Sequence, residues 1–241
     1  MIASRIGNAA RWAAGRGDEL PGRRILAVSV HLDDAVLSVG AALARAARGG
    51  AEVTILTVLA NDPVAEGPAG AWDAEAGFST AREAATVRRD EDRRACALLG
   101  ARPVWLPYGD SSHGLGAEDD EIAKAVEAHV EGMDTVLVPG SPLMHEDHGW
   151  LAGLLAGPLP AARIGRFVEQ PYTALWTQGA HADDGWLPLA AGVRDRLAKV
   201  RASRSYRSQL PLLDRHAVYR TLRYEALHSG EAVAWTATER V

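Results

Sequence analysis

The sequence predicts an α/β protein with a mostly parallel sheet and helices on both of its faces. Three observations predict it. Short apolar runs rich in β-branched residues recur along the 241 residues and read as buried strands. Segments of helical periodicity separate them. Polar, ionisable clusters follow three of the runs, on the rim where sheets of this class bind ligands.

The elements follow in order. RILAVSV, residues 24–30, is the first strand. Residues 34–48 carry apolar side chains at helical spacing and stop at Gly49-Gly50. EVTILTVLA, residues 52–60, is the second strand, and residues 61–79 form a long aperiodic loop of Pro, Gly, Asp and Trp. A helix spans 80–99 and ends at Gly100. PVWLP, 103–107, is strand-like; 118–130 is helical; TVLVPG, 135–140, is the fourth strand. Another helix starts at Asp147 and runs to Leu155, ARIGRFVEQ (162–170) is a fifth strand, and 194–206 is a basic amphipathic helix. No repeat, low-complexity tract or long linker interrupts residues 1–241, which read as a single domain.

Composition narrows the function classes. The chain is 47% hydrophobic and 24% charged, ordinary for a soluble globular protein. A net charge of -5 points away from nucleic acid, and the basic run 194–207 reads as a solvated helix face. The lone cysteine, Cys96, excludes an internal disulfide and a cysteine-rich metal site. No apolar run is long enough for a membrane span, and the N-terminus is too polar for a secretory signal. A cytoplasmic enzyme or binding protein is the expectation, with self-association left open.

Two clusters carry the chemistry. His31-Leu32-Asp33-Asp34 follows the first strand. Adjacent carboxylates repel, and holding them where water is scarce requires a compensating cation or proton. A spacing of three turns His31 and Asp34 to one side and Asp33 elsewhere. The rival reading makes either Asp a helix N-cap. The second cluster, His145-Glu146-Asp147-His148, follows the fourth strand. Its histidines, three apart at a helix start, can share a face. Together the clusters offer His, His and Asp donors with carboxylates to spare. That donor set suits zinc, and three protein ligands leave a position for water.

Both motifs, in this order and after these strands, resemble the LmbE/PIG-L family of zinc-dependent N-deacetylases. Arg88-x-x-Glu91 with Leu99-Gly100 resembles the family's central helix, and Lys199-x-x-Ala202-x-x-x-Tyr206-x-Ser208-Gln209 its C-terminal segment. The likeness is strongest over 24–210. It implies a Rossmann-like fold and one zinc per protomer on His31, Asp34 and His148. It makes Asp33 the general base. A cationic His145 would hold the oxyanion or protonate the leaving amine, with Asp147 in support of the ligands. Arg88 and Asp110 would face a small N-acylated substrate, most simply an N-acetylated amino sugar. Leu32, Ala35, Glu146 and Leu143 stand where family members often carry other residues.

Competing readings are an amidase acting on a larger conjugate or acyl chain, a serine esterase, and a metal-binding protein without turnover. The esterase reading rests on Gly109-Asp110-Ser111-Ser112-His113, a block that normally follows a first strand, not a third. His113 reads as a surface residue of that loop. His129, His181, His216 and His228 lack partners at ligand spacing and read as structural or solvated. Trp72 and Phe78 either wall a pocket or pin the 61–79 loop. For Arg88 the bland alternative is a helix-surface ion pair with Glu91.

Overall fold

The structure is a computed structural model and describes residues 17–62, 64, 66–110, 116–161, 163–170, 172, 185–215 and 230–236. Strands β1 (Arg24–Ser29), β2 (Glu52–Thr57), β3 (Ala101–Trp105), β4 (Thr135–Ser141), β5 (Ile164–Val168), β6 (Leu187–Pro188) and β7 (Ala232–Trp235) form one sheet. Helices α1 (Asp34–Arg48), α2 (Ala71–Glu75), α3 (Ala81–Leu99), α4 (Asp119–Val130), α5 (Glu146–Leu154), α6 (Val193–Ser203) and α7 (Leu210–Arg215) connect and cover it. None of them is long and apolar enough to cross a membrane.

The strand order is β3-β2-β1-β4-β5-β7-β6. The first five are mutually parallel, and β7 runs antiparallel between β5 and β6. The α/β expectation holds, with an antiparallel edge the sequence did not announce. Chain order reverses between β1 and β4, and the crevice this opens lies beyond their carboxyl ends. His31 follows one of these two strands and His148 the other.

Alternation along β1 explains why both faces are covered. Ile25 and Ala27 pack with Val36 and Leu43 of α1, Ala95 and Leu99 of α3, Phe167 and Tyr206. Leu26 and Val28 turn to the other side and pack with Ile122 and Val126 of α4 and Leu151 beside Leu155. Every β1 residue from Ile25 to Ser29 is buried. A strand buried on both faces loses the polar alternation of a one-sided strand and reads as the continuous run seen in the sequence.

Helix α1 is not regular. Val39 leaves helical geometry (φ -131°, ψ 15°) and divides the helix. The amides of Ala41 and Ala42 donate to Glu231 Oε1 and Oε2 at 2.8 and 2.7 Å, so a carboxylate 190 residues away caps the second half. Lys199 Nζ lies 2.9 Å from Glu231 Oε1, with both side chains buried. Its stem lies over Gly40, where an added Cβ would come within 3.3 Å of Lys199 Cγ. Arg194 and Arg201 of α6 are exposed, as expected of a solvated basic face, but Lys199 and Asp195 point inward. Glu231→Ala strips two helix amides and a buried ammonium of their partner. It is expected to cost roughly 3–5 kcal/mol in urea unfolding, and adding Lys199→Met should recover part of the loss. An unchanged urea midpoint in Glu231→Ala would show that the latch contributes nothing.

Candidate metal centre

The turn between β1 and α1 is held by Ser29, which leaves the Asp33 carboxylate without a helix amide to cap. Ser29 Oγ donates to His31 O at 2.5 Å and accepts from Ala35 N at 3.0 Å. A serine thus supplies the cap at the helix start. Asp33 occupies the N-cap position, but its carboxylate accepts no helix amide. The N-cap reading of the motif therefore fails for Asp33. Asp34 turns back, and its Oδ2 accepts from His31 N at 2.7 Å.

Three donor atoms then meet. Asp34 Oδ2 lies 3.3 Å from His31 Nδ1 and 3.3 Å from His148 Nε2, and the two nitrogens are 3.4 Å apart. A tetrahedral ion with bonds of about 2.0–2.1 Å needs donor separations of roughly 3.3–3.4 Å. The triangle fits one face of that tetrahedron, so the residues suit a divalent cation. His31, His145 and Asp147 form a second candidate group. It shares His31, is more exposed, and uses donors that are already committed to one another. The buried group His31, Asp34 and His148 is the better site.

The other side of each imidazole is also fixed. His31 Nε2 lies 3.0 Å from Asp147 Oδ2, and His148 Nδ1 lies 2.7 Å from Glu169 Oε1. Each carboxylate orients its ring and directs the remaining nitrogen at the triangle. Asp147 thus meets His31 from the start of α5. Glu169, fully buried just past β5, was missed. Its other oxygen accepts from Leu143 N at 3.1 Å. Tyr172, also missed, sets its ring edge-on to His148 with centroids 5.7 Å apart.

Electrostatics follow from this crowding. Burial alone would lower both ligand imidazoles. Hydrogen bonds to Asp147 and Asp34 instead raise His31 to about 9. The Asp34 charge and the contacts to Asp34 and Glu169 raise His148 to about 11. Burial works against ionised Asp34, but the His148 charge beside it holds the carboxyl well below the usual carboxylate range. Burial and the neighbouring Asp34 charge push Asp33 up to about 6. Without a metal, protons on the histidines balance the carboxylates.

His145 is the half-exposed member of the cluster. Burial and the His31 charge lower its pKa, and its Nδ1 accepts from Asp147 N at 3.2 Å. Both features favour a neutral ring with its hydrogen on Nε2 when His31 is charged. The three rings lie with centroids 5.3–5.6 Å apart.

The remaining predicted residues lie outside the triangle. Arg88 is buried on α3, and its Nη1 donates to Asp73 Oδ1 at 3.1 Å. The pair with Glu91 does not form, because Glu91 accepts from Ser208 N and Oγ at 2.9 and 2.6 Å. Asp110 is half-buried on the loop after β3. Trp72 pins the 61–79 loop, its Nε1 donating to Gln209 Oε1 at 2.7 Å. Ser111, Ser112, His113, His181, His216 and His228 lie outside the described residues.

Comparison with known proteins agrees with this geometry. Residues 26–155 match the sequence profile of PIG-L, GlcNAc-PI de-N-acetylase. No curated protein matches the chain. Among solved structures, the A40926 pseudoaglycone deacetylase Dbv21 is 27% identical, with TM-score 0.67 over 91% of this chain and 99% of that one. The zinc-inhibited form of teicoplanin deacetylase Orf2 is 22% identical, with TM-score 0.66 over 90% and 100%. The 4-carboxy-2-hydroxymuconate hydratase from Pseudomonas putida is 18% identical, with TM-score 0.54 over 90% and 99%. These last two likenesses concern the fold alone.

Two outcomes follow for the site. Their carboxylate partners raise His31 and His148 above neutrality, so a metal bound between them would have to displace protons. Binding near pH 7.5 should release about two protons and weaken as pH falls, read by calorimetry in buffers of different ionisation enthalpy. A binding enthalpy independent of buffer contradicts this. Glu169→Gln should lose roughly 10–100-fold in metal affinity through loss of ring orientation; equal affinity in metal-buffered titrations would remove Glu169 from that role.

Proposed function

The chain belongs to the PIG-L, GlcNAc-PI de-N-acetylase, family, and on that premise we propose that it hydrolyses the amide of an N-acetylated amino sugar or a related small metabolite, with one zinc ion per protomer. The observation that carries this reading is the donor triangle of His31, Asp34 and His148, with the Asp33 carboxylate beside it uncommitted to the helix it begins.

Amides resist hydrolysis because the carbonyl is a weak electrophile and the amine leaves poorly. A divalent cation on the triangle supplies Lewis-acid polarisation of the carbonyl and makes water more acidic. The chain's residues do the rest. Asp33, raised toward neutrality by burial and Asp34, takes the proton of the attacking water. His145, held by the Asp147 amide at Nδ1, presents its Nε2–H as a donor to the oxyanion. The proton held by Asp33 then passes to the departing amine. Asp147 and Glu169 keep the ligand rings in place through the cycle.

The donor set favours zinc among divalent cations, since imidazole and carboxylate at tetrahedral spacing suit it. A serine esterase would ignore chelators and yield to serine-directed acylating agents. The hydratase with this fold shows that the fold alone does not fix the reaction, so amine release is the assay to use. We assign Arg88 a supporting place next to Asp33: its charge favours the ionised carboxylate.

Asp33→Asn in the zinc-replete protein should keep the metal and lose roughly 10²–10⁴ in turnover. Near-normal amine release would remove Asp33 from the base role. The base must be ionised, so kcat/KM should rise with pH along an acid limb. Asp33 sits at about 6 in the metal-free site, and a bound cation draws it lower. The limb should therefore fall between about 4 and 6 and disappear in Asp33→Asn. A limb unchanged in that variant would assign it to another group.

A further inference from the structure

The stretch that carries His145 owes little of its placement to burial. From Ser141 to Glu146 no side chain is buried, and Met144 is 56% exposed. Leu143 lies in the left-handed region (φ 51°), a costly conformation for a residue with a Cβ. Such a conformation persists only where the surroundings hold it. Among the described residues, the backbone of residues 142–144 makes one hydrogen bond, from Leu143 N to Glu169 Oε2 at 3.1 Å. His145 follows two residues later and begins α5 as its N-cap.

Glu169 grips this segment at three points. Its own amide donates to Ser141 O at 2.7 Å. Its Oε2 holds Leu143, and its Oε1 meets His148 Nδ1 at 2.7 Å. His145 lies between the last two. The seat of the acid is tight: Glu169 is 1% exposed, and β4 and β5 approach so closely that a Cβ on Gly140 would come within 2.6 Å of Phe167 O. Both contacts of the side chain need an acceptor oxygen. A carboxylate offers two, whereas an amide offers one and turns a donor toward the other partner.

We propose that Glu169 is a positioning residue for His145 as well as for His148: its carboxylate locks the left-handed turn at Leu143, so that one buried acid sets both the donor triangle and the imidazole beside it. The task of His145, donation to the oxyanion, rests on the deacetylase reading above; the locking of the turn does not.

Two readouts test it in the zinc-loaded full chain, with variants compared at equal zinc content. The first is the ¹⁵N–¹H spectrum of the histidine rings, in which His145 is identified by its loss in His145→Ala. In Glu169→Gln the His145 signals should broaden or split as the turn leaves its single conformation. Adding Leu143→Asn, a residue that tolerates the left-handed region, should restore them in part. The second is amine release from N-acetylglucosamine. Glu169→Gln should lower kcat per bound zinc by about tenfold or more through misplacement of His145, and should cost nothing further when made in His145→Ala. Thermal melts accompany each variant. Should Glu169→Gln fail to fold, Glu169→Asp, one methylene shorter, takes its place with the same expectations. His145 signals unchanged in the folded variant overturn the proposal, as do losses that multiply independently in the double variant. A wild-type protein that releases no amine rejects the deacetylase reading, and the ring signals then decide the positioning by themselves.

Discussion

Carboxylate crowding at the carboxyl ends of β1 and β4 is the constraint on which the site depends. Asp34 touches both His31 and His148, Asp147 touches His31 and Glu169 touches His148, all within a few ångströms and largely out of water. Such a group is stable only with positive charge inside it. In the metal-free chain the imidazoles supply that charge as protons, which is why both titrate above their ordinary range. A divalent cation supplies the same charge from the centre of the triangle and leaves the imidazoles neutral. On the proposed function the histidines would then be ligands, and Asp33 the carboxylate left to take a proton.

The fold serves this arrangement at several distances. The reversal of strand order between β1 and β4 brings the two histidine motifs to one crevice although 114 positions separate His31 from His145. Ser29 closes the turn after β1 and relieves Asp33 of capping. The break at Val39 separates the first turn of α1, which begins with Asp34, from the rest of the helix, and Glu231 and Lys199 secure the second half from the C-terminal segment. A second buried network lies behind α3. Asp92 accepts from Tyr206 Oη and Trp105 Nε1, each at 2.7 Å, and burial raises its pKa to about 6. Glu91 holds the turn at Ser208 beside it. These contacts fasten α3 to the C-terminal segment, and so place Arg88 and the loop that meets it.

Much of this was legible in the sequence, for a physical reason. Residues whose chemistry depends on local spacing announce themselves: His31 and Asp34 are three apart, as are His145 and His148, and each pair follows a strand long enough to show its apolar run. β1, β2 and β4 were visible because burial on both faces leaves an unbroken apolar stretch. What stayed hidden depends on distant pairing. Glu169 is a lone acid at a strand end and acquires meaning only when His148 folds against it. β7 has four residues, too few for a pattern, and its place is set by hydrogen bonds to β5. The α1 break has a local sign in Gly40, but Glu231, which caps its second half, is distant in sequence. Arg88 has Glu91 at helical spacing, yet it is paired with Asp73 from an aperiodic loop. The helix-capping contact of His145 Nδ1 with the Asp147 amide was likewise not visible in the motif.

The central claim is that one divalent cation sits on His31, Asp34 and His148. The most direct measurement is anomalous diffraction at the zinc edge from crystals of the zinc-loaded protein. The account predicts one strong peak per chain, roughly 2.0–2.2 Å from His31 Nδ1, Asp34 Oδ2 and His148 Nε2, with Asp33 close by but outside the bonding distance. A peak on His145 and Asp147 instead, or none at this crevice, would contradict it.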